Sequence, residues 1–223
     1  MTLFVPSLTD QIANHLARRI VRWELKPGTR LPEQELARQL DVSTNSLREA
    51  FRILERQHLL RLQPRKGAVV SEVSERTAAE LYEFLFILLS ELAGRAAASW
   101  QPGELDDLVT VLPALEAFRQ QDDMASAHQM AFEFIELAVR RFANNAYLAR
   151  DILDLIPLLK RFSYLALMTE QSEFAATISH FTDLLNHVLA HDAAGAAAVI
   201  RRYGASQQQI VQRAIREWQQ QAS

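Results

Sequence analysis

The stretch that decides the fold spans residues 26–70 and reads KPGTRLPEQELARQLDVSTNSLREAFRILERQHLLRLQPRKGAVV. Its middle predicts a helix over residues 44–56, because apolar residues recur there at helical spacing: Leu47, Phe51 and Leu54. Ser43 stands just before this helix and is a residue type that caps helix N-termini. A shorter helix is predicted after Pro32, with the break between the two at residues 41–43. The spacing therefore predicts a helix-turn-helix.

Both flanks of this helix pair have their own pattern. Upstream, an apolar stripe predicts a helix over residues 9–23, and Pro27 and Gly28 stop it. Downstream, residues 59–63 and 68–73 read as two short strands with residues 64–67 as the turn between them. A small basic hairpin placed directly after a helix-turn-helix predicts a wing.

The remainder of the chain predicts helices alone. We place them near residues 75–99, 104–119, 125–143, 146–169, 173–190 and 193–220. Pro157 should kink or restart the fourth of these, because proline removes a helical hydrogen bond. The predicted fold class is therefore mainly α. A winged helix-turn-helix DNA-binding domain with a β-hairpin wing occupies residues 1–74, and an all-helical bundle of six to seven helices occupies residues 75–223.

Composition excludes several classes of function. The chain has no cysteine, so disulfides, thiolate metal sites and cysteine nucleophiles are absent. The N-terminus lacks the layout of a signal peptide, and no apolar run approaches the ~18 residues of a membrane span. No Gly-rich phosphate loop, His-Glu-x-x-His motif or nucleophile elbow occurs. We expect a cytoplasmic protein without a cofactor that is not an enzyme.

The charge distribution favours DNA binding by the N-terminal part. Residues 1–75 hold 12 Lys and Arg against 9 Asp and Glu, whereas residues 76–223 hold 12 against 18. A helix-turn-helix presents the first turn of its second helix to base edges, while basic residues nearby reach phosphates. The candidate DNA-binding residues are Arg30, Arg38, Ser43, Thr44, Asn45, Ser46, Arg48, Arg65, Lys66 and Gly67.

From about residue 8 to residue 73 the sequence resembles the N-terminal domain of GntR-type regulators. The landmarks agree in order and spacing: Pro27-Gly28, Leu31, Glu33, Leu36-Ala37, Val42-Ser43, Leu47-Arg48-Glu49-Ala50, Leu54-Glu55 and Gly67. The family usually has an arginine that reads a guanine after the Val-Ser pair, and this chain has Thr44 there. The resemblance therefore implies either a different operator or weaker DNA binding. Arg48 matches a DNA-contacting arginine of the family; the alternative is a surface salt bridge with Glu49 or the neighbours of Arg52.

The helical part resembles the FadR branch of this family over about residues 78–215. In that branch an all-helical FCD domain binds a small carboxylate or acyl effector and carries the dimer contact. The resemblance rests on ELYEFLFILLSELAGRAA, FIELAVRRFANNAYL and HVLAHDAAGAAAVIRRYG. It implies a homodimer that binds double-stranded DNA at a palindromic operator, with DNA affinity modulated by the effector.

Most members of that branch hold a metal ion through one Asp and three His. Alignment on Asn145 and Asp192 places Phe132, Glu136, Phe181 and Tyr203 at those four positions. An arginine and a glutamate usual on the first bundle helix become Leu85 and Leu89. Because a divalent ion needs several nitrogen or oxygen donors, we expect no metal at the family site. The predicted effector pocket comprises Leu85, Leu89, Phe132, Glu136, Arg140, Arg161, Phe181 and Tyr203, and an apolar or long-chain effector would suit it.

Several alternatives stay open at this point. The former pocket could be filled by its own side chains, which would leave a regulator without an effector or a helical interaction module with little specific DNA binding. Glu136 could recognise an effector together with Arg140 or Arg161, or form a structural ion pair. His180, His187 and His191 fall on one helix stripe and could hold a metal, but the stripe lies at the boundary of the apolar face, which favours surface or capping roles.

Overall fold

A computed structural model describes residues 7–63, 67–169 and 174–222 of the chain. The chain divides into two compact units, residues 1–73 and residues 74–223. None of the described helices is long and apolar enough to cross a membrane.

The first unit opens with a three-helix arrangement. Helix α1 spans Leu8–Val21, α2 spans Glu33–Gln39 and α3 spans Thr44–Arg56. Ser7 caps α1 in a capping box, in which its Oγ accepts from the amide of Asp10 and the Asp10 carboxylate accepts from the amide of Ser7. The helix thus begins before the predicted Thr9. The apolar stripes of α1 and α3 are buried together: Leu16, Ile20, Leu47, Phe51 and Leu54.

The wing is a three-stranded antiparallel sheet and not a simple hairpin. Strands β1 (Arg30–Leu31), β2 (Leu60–Gln63) and β3 (Gly67–Val70) lie in the order β1-β3-β2. The hairpin β2–β3 was predicted, but β1 was not. A strand of two residues shows no alternation of apolar and polar positions, so its pairing with β3 depends on contacts remote in sequence. Strand β1, which lies in the connection between α1 and α2, adds the third strand to the sheet.

The second unit contains helices alone within the described residues. They are α4 (Glu75–Ser99), α5 (Asp106–Val109), α6 (Val111–Gln120), α7 (Met124–Phe142), α8 (Ala146–Thr169), α9 (Phe174–Leu189) and α10 (Ala193–Ala222). The segment predicted as one helix over residues 104–119 is two, since a turn at Thr110 separates α5 from α6. The predicted fold class, a winged helix-turn-helix with a helical bundle, is confirmed.

Helix α8 corrects the expectation for Pro157. The helix is unbroken through the proline, so the predicted restart does not occur. Ile156, Leu158 and Leu159 flank the proline and are buried in the bundle. Their packing offsets the lost hydrogen bond, because tertiary burial supplies most of the stability of a helix in a protein.

Close packing of α4 against α10 depends on Gly204. A Cβ atom at this position would lie 2.4 Å from the ring of Phe86 on α4. Phe86 is itself confined, since its ring stacks on Tyr82 at a centroid distance of 5.3 Å and meets Tyr203 edge-on at 6.0 Å. Gly204 therefore permits an approach that any side chain would prevent.

Substitution of Gly204 by alanine should destabilise the protein although alanine is the better helix former. The propensity gain is about 1 kcal/mol, whereas overpacking a filled interior costs about 1–3 kcal/mol. We expect Gly204→Ala to lower the free energy of unfolding by up to about 2 kcal/mol, measured by urea denaturation followed by circular dichroism. Gly94→Ala is the matched control, because a Cβ atom there would meet only the Ala193 carbonyl at 3.5 Å. Equal effects of the two substitutions on the free energy of unfolding would contradict the inference that Gly204 permits the close packing of α4 against α10.

Candidate nucleic-acid interface and effector cavity

The N-terminal turn of α3 presents polar side chains to solvent. Ser43 caps the helix, and its Oγ accepts from the amide of Ser46 at 3.0 Å. Thr44 and Asn45 are exposed, whereas Ser46 is half-buried and its hydroxyl is 2.8 Å from that of Ser43. Within the first turn of α3, Thr44 and Asn45 are thus the residues whose side chains are most open to a partner.

Arg48 follows one turn later and is held by Glu33 of α2. Its Nε and Nη2 donate to the two carboxylate oxygens of Glu33, each at 2.8 Å, and this pair raises the pKa of the guanidinium. The side chain of Arg48 remains 59% exposed. The expected alternative partner was Glu49, but Glu49 pairs with Arg52 instead. The ion pair joins the two helices of the motif and leaves three N–H donors of Arg48 available.

The outer face of the wing carries two arginines, Arg30 and Arg61, which together form the basic row of the wing. Only Arg30 was predicted from the sequence. Val69 of β3 is opposite Arg30 of β1 on one side and Arg61 of β2 on the other. Residues directly opposite in an antiparallel ladder share a face, so the two arginines flank Val69. Both arginines are exposed. Arg61 was not predicted, because its alignment with Arg30 requires the unpredicted strand β1.

The other predicted DNA-binding residues are placed as follows. Arg38 lies exposed on α2, where its Nε donates to the Gln34 carbonyl at 3.3 Å. Gly67 begins β3 with a φ of 78°, a left-handed conformation that favours glycine. Arg65 and Lys66 lie outside the described residues.

The second unit contains a partly open cavity of about 160 Å³. Its wall is built by α4, α5, α7, α8, α9 and α10 and is mostly aliphatic and aromatic. The aromatic members of the wall are Tyr82, Phe86, Phe132, Phe134, Phe142, Phe181 and Tyr203. The polar members among the described residues, apart from the two tyrosines, are His128, Ser163, Thr177 and Gln207.

Two hydrogen-bonded pairs supply the polarity of this wall. The imidazole Nε2 of His128 lies 2.8 Å from Ser163 Oγ, and that hydroxyl donates to the Lys160 carbonyl at 3.2 Å. The Tyr203 hydroxyl donates to Thr177 Oγ1 at 3.4 Å. Burial lowers the pKa of His128 to about 4, helped by the charge of Lys160, and burial raises the pKa of Tyr203 to about 12. Both rings are therefore neutral near pH 7.

The cavity includes half of the pocket residues that were predicted from sequence. Leu89, Phe132, Phe181 and Tyr203 line it. Leu85 and Arg161 are fully buried but are not part of its wall. Leu85 was placed in the pocket by alignment and Arg161 as a possible partner of Glu136 or of an effector carboxylate, and neither argument fixes which side of a crowded interior a side chain meets.

Glu136 and Arg140 also lie outside the wall of the cavity. Glu136 accepts from Lys160 at 2.9 Å and is 3.7 Å from Arg140, whose side chain is 70% exposed. This arrangement matches the structural ion pair left open above. The partner that sequence reasoning missed is Lys160, which is 24 residues away on the next helix.

The histidines of the stripe on and after α9 contact different partners. The Nδ1 of His187 lies 2.8 Å from the carboxylate of Asp192, which accepts from the amide of Gly195. His191 stacks on Trp100 at a centroid distance of 4.8 Å. The ring of His180 faces that of Tyr203 at 5.2 Å. No group of three or more potential metal ligands occurs among the residues that the structure describes.

Two family profiles match the chain. The one described as bacterial regulatory proteins, gntR family, matches residues 8–70, and that of the FCD domain matches residues 80–206. These are the family and the domain that the sequence resembled.

Individual relatives agree with these profiles. A gluconate operon transcriptional repressor of Bacillus licheniformis is 30% identical over 186 residues, covering 80% of this chain and 72% of the repressor. The HTH-type transcriptional regulator McbR of Escherichia coli is 31% identical over 118 residues, 53% of each chain. A solved structure of E. coli McbR/YncC superposes with a TM-score of 0.76 at 26% identity, covering 98% of this chain and 100% of that one. A GntR regulator from Rhodococcus sp. RHA1 shares the fold, with a TM-score of 0.73 at 19% identity over 92% of this chain and 98% of its own.

The lowered pKa of His128 predicts a loss of stability in mild acid. The unfolded chain binds a proton with a pKa near 6.5, whereas the folded protein resists protonation until about pH 4, so stability falls as the pH falls between these values. Through His128, a change from pH 7 to pH 5 should lower the free energy of unfolding by on the order of 1–2 kcal/mol.

Urea unfolding at pH 7 and pH 5 measures this loss. His128→Gln should show a smaller difference between the two pH values than the wild type, because glutamine does not titrate. His15→Gln, on the exposed face of α1, should keep the wild-type difference. An undiminished pH dependence in His128→Gln would assign the acid sensitivity to other groups.

Proposed function

Because the chain belongs to the GntR family of bacterial regulatory proteins and carries an FCD domain, we propose that it binds a palindromic operator as a homodimer under the control of a small effector. Residues 1–74 have the DNA-binding role, and residues 75–223 have the effector-binding and dimerisation roles. The members of this family are regulators and not enzymes, in agreement with the prediction from sequence. The repressor matched over most of this chain supports repression as the mode of action.

The observation that carries the DNA-binding role is the capped, exposed first turn of α3. Thr44 and Asn45 present hydroxyl and amide groups, which suit base edges in a major groove. Arg48 adds a donor whose position is fixed by Glu33. Thr44 stands where relatives have a guanine-reading arginine, so the half-site differs from the usual one of the family.

The wing and α2 supply phosphate contacts. Arg30 and Arg61 form the basic row of the wing, and Arg38 is exposed on α2. Such contacts supply affinity without sequence preference, and they position the reading helix. Two such heads related by a two-fold axis would read inverted half-sites, because the symmetry of the protein is matched by that of the operator.

The effector role is supported by the cavity between the helices of residues 74–223. An effector controls DNA binding only if it binds one arrangement of the dimer better than another. The walls of the cavity come from most helices of the unit, so occupation of the cavity would favour one packing of these helices over others.

Selection of operator sequences from random DNA by the full-length protein tests this function. We expect enrichment of a palindrome whose half-site differs from the family's usual one at the base opposite Thr44. Recovery of DNA without a palindrome would contradict the dimeric reading, and no enrichment at all would contradict sequence-specific binding.

Removal of Arg48 should weaken operator binding. We expect Arg48→Ala to raise the dissociation constant by roughly 5- to 100-fold, because it deletes a charged contact to DNA. Fluorescence anisotropy with the selected operator measures this. Glu33→Gln is the control: it removes the ion pair but keeps the arginine, so affinity should stay within about threefold of the wild type. If both variants lose affinity equally, the role of Arg48 is to hold the two helices together.

The basic row of the wing should act through electrostatics alone. We expect Arg61→Ala and Arg30→Ala each to weaken binding to operator and to unrelated DNA by similar factors, and each to reduce the slope of log K against log salt by about 1. DNA-binding titrations at salt concentrations from roughly 50 to 200 mM measure the slope. Arg119→Ala, on the helical unit, should leave it unchanged. If a substitution lowers affinity for the operator alone, the substituted arginine reads bases instead.

A further inference from the structure

The wall of the cavity carries no formal charge among the described residues. It includes no lysine, arginine, aspartate or glutamate, and its histidine is neutral near pH 7. Lys160 lies over the ring of Phe132, a residue of the wall, at 5.4 Å and donates to Glu136, so its charge is already balanced. A carboxylate inside this cavity would lose its hydration without gaining a cation, which is strongly unfavourable.

The volume of the cavity limits the size of its ligand. At about 160 Å³ it is close to the engineered cavity of about 150 Å³ that accepts benzene in another protein. Pockets for drug-sized ligands are about 300–1,000 Å³. A single six-membered ring with a small substituent fills this space, and a long acyl chain would extend beyond it.

Of the two hydrogen-bonded pairs in the wall, the pair of His128 and Ser163 includes the group that can accept from a ligand. The Ser163 hydroxyl has a single proton, and it donates that proton to the Lys160 carbonyl. With the Ser163 proton assigned to the carbonyl, Ser163 Oγ accepts from His128; this assignment places the imidazole proton on Nε2 and makes Nδ1 an acceptor. No described residue donates to that nitrogen. A ligand that satisfies it must bring a hydroxyl or another neutral donor.

We propose that the effector site takes a small, uncharged cyclic alcohol or phenol, whose ring fills the apolar volume and whose hydroxyl donates to Nδ1 of His128. This rests on the proposed function in one respect, namely that the cavity is the effector site. It differs from a carboxylate or long-chain acyl effector in both charge and length.

Three probes of one ring size test the charge of the ligand: phenol, benzene and benzoate, each titrated into the full-length protein at pH 7.5 by calorimetry. We expect phenol to bind at least tenfold more tightly than benzoate, because the carboxylate has no partner. We also expect phenol to bind more tightly than benzene, because only phenol satisfies His128. Benzoate binding equal to or tighter than phenol binding, or no detectable phenol binding, would overturn the proposal.

Two variants test the location and the anchor. His128→Phe keeps an aromatic ring next to Phe132 and should abolish the preference for phenol over benzene. Ala93→Leu fills the cavity from α4 and should weaken phenol binding at least tenfold, whereas Ala98→Leu on the exposed face of the same helix should not. Melting curves establish that each variant is folded. Phenol affinity that is unchanged in folded Ala93→Leu would place the ligand elsewhere and overturn the proposal.

Operator selection with ligand-free protein separates this inference from the proposed function. An enriched palindrome together with failure of the phenol test overturns the ligand class alone. Phenol binding in the cavity without enrichment of any DNA sequence supports the ligand class and overturns the sequence-specific DNA-binding role.

Discussion

The helical unit depends on the approach of α4 to α10 at Gly204 and Phe86. The absence of a side chain at Gly204 lets the ring of Phe86 lie against the α10 backbone, and Tyr82 and Tyr203 pack around that ring. Both helices then present their inner faces to the same interior, where they form two walls of the cavity. A wider separation of α4 and α10 would change the shape of the ligand site and the packing of every helix that borders it.

Aromatic side chains at the family's metal positions determine the chemistry of this interior. Phe132 and Phe181 occupy two of those positions and line the cavity, and Glu136, at a third, pairs with Lys160 outside its wall. The interior that would otherwise hold an ion and its charged ligand is therefore apolar and uncharged. Burial, together with the charge of Lys160, keeps His128 of the wall neutral, so the apolar surroundings influence both the polarity of the cavity and the protonation of its histidine.

Local signals predicted the helices well, and contacts remote in sequence were missed. Helices α3, α4 and α8 have the predicted bounds, since apolar periodicity and the caps Ser43 and Ser74 are encoded within a few residues. Strand β1 and its alignment of Arg30 with Arg61 were missed because a two-residue strand has no period. The pairs of Arg48 with Glu33 and of Lys160 with Glu136 join different helices, and periodicity gives a residue's face but not its partner. For the same reason only half of the predicted pocket lines the cavity.

The size of the cavity also limits how strongly an effector can control DNA binding. A ligand of about seven heavy atoms has little total binding energy, and only the part that differs between two arrangements shifts their populations. Couplings between sites are typically about 1–3 kcal/mol, or about 5- to 150-fold in affinity. A shift of this size changes the occupancy of an operator only if the ligand-free protein does not bind the operator far more tightly than occupancy requires. Thr44 removes a charged base contact, and Glu33 neutralises Arg48 next to the reading turn. Under the proposed function, the absence of a charged base contact at Thr44 would lower the affinity of the head and so bring it closer to the range that a small neutral ligand can control.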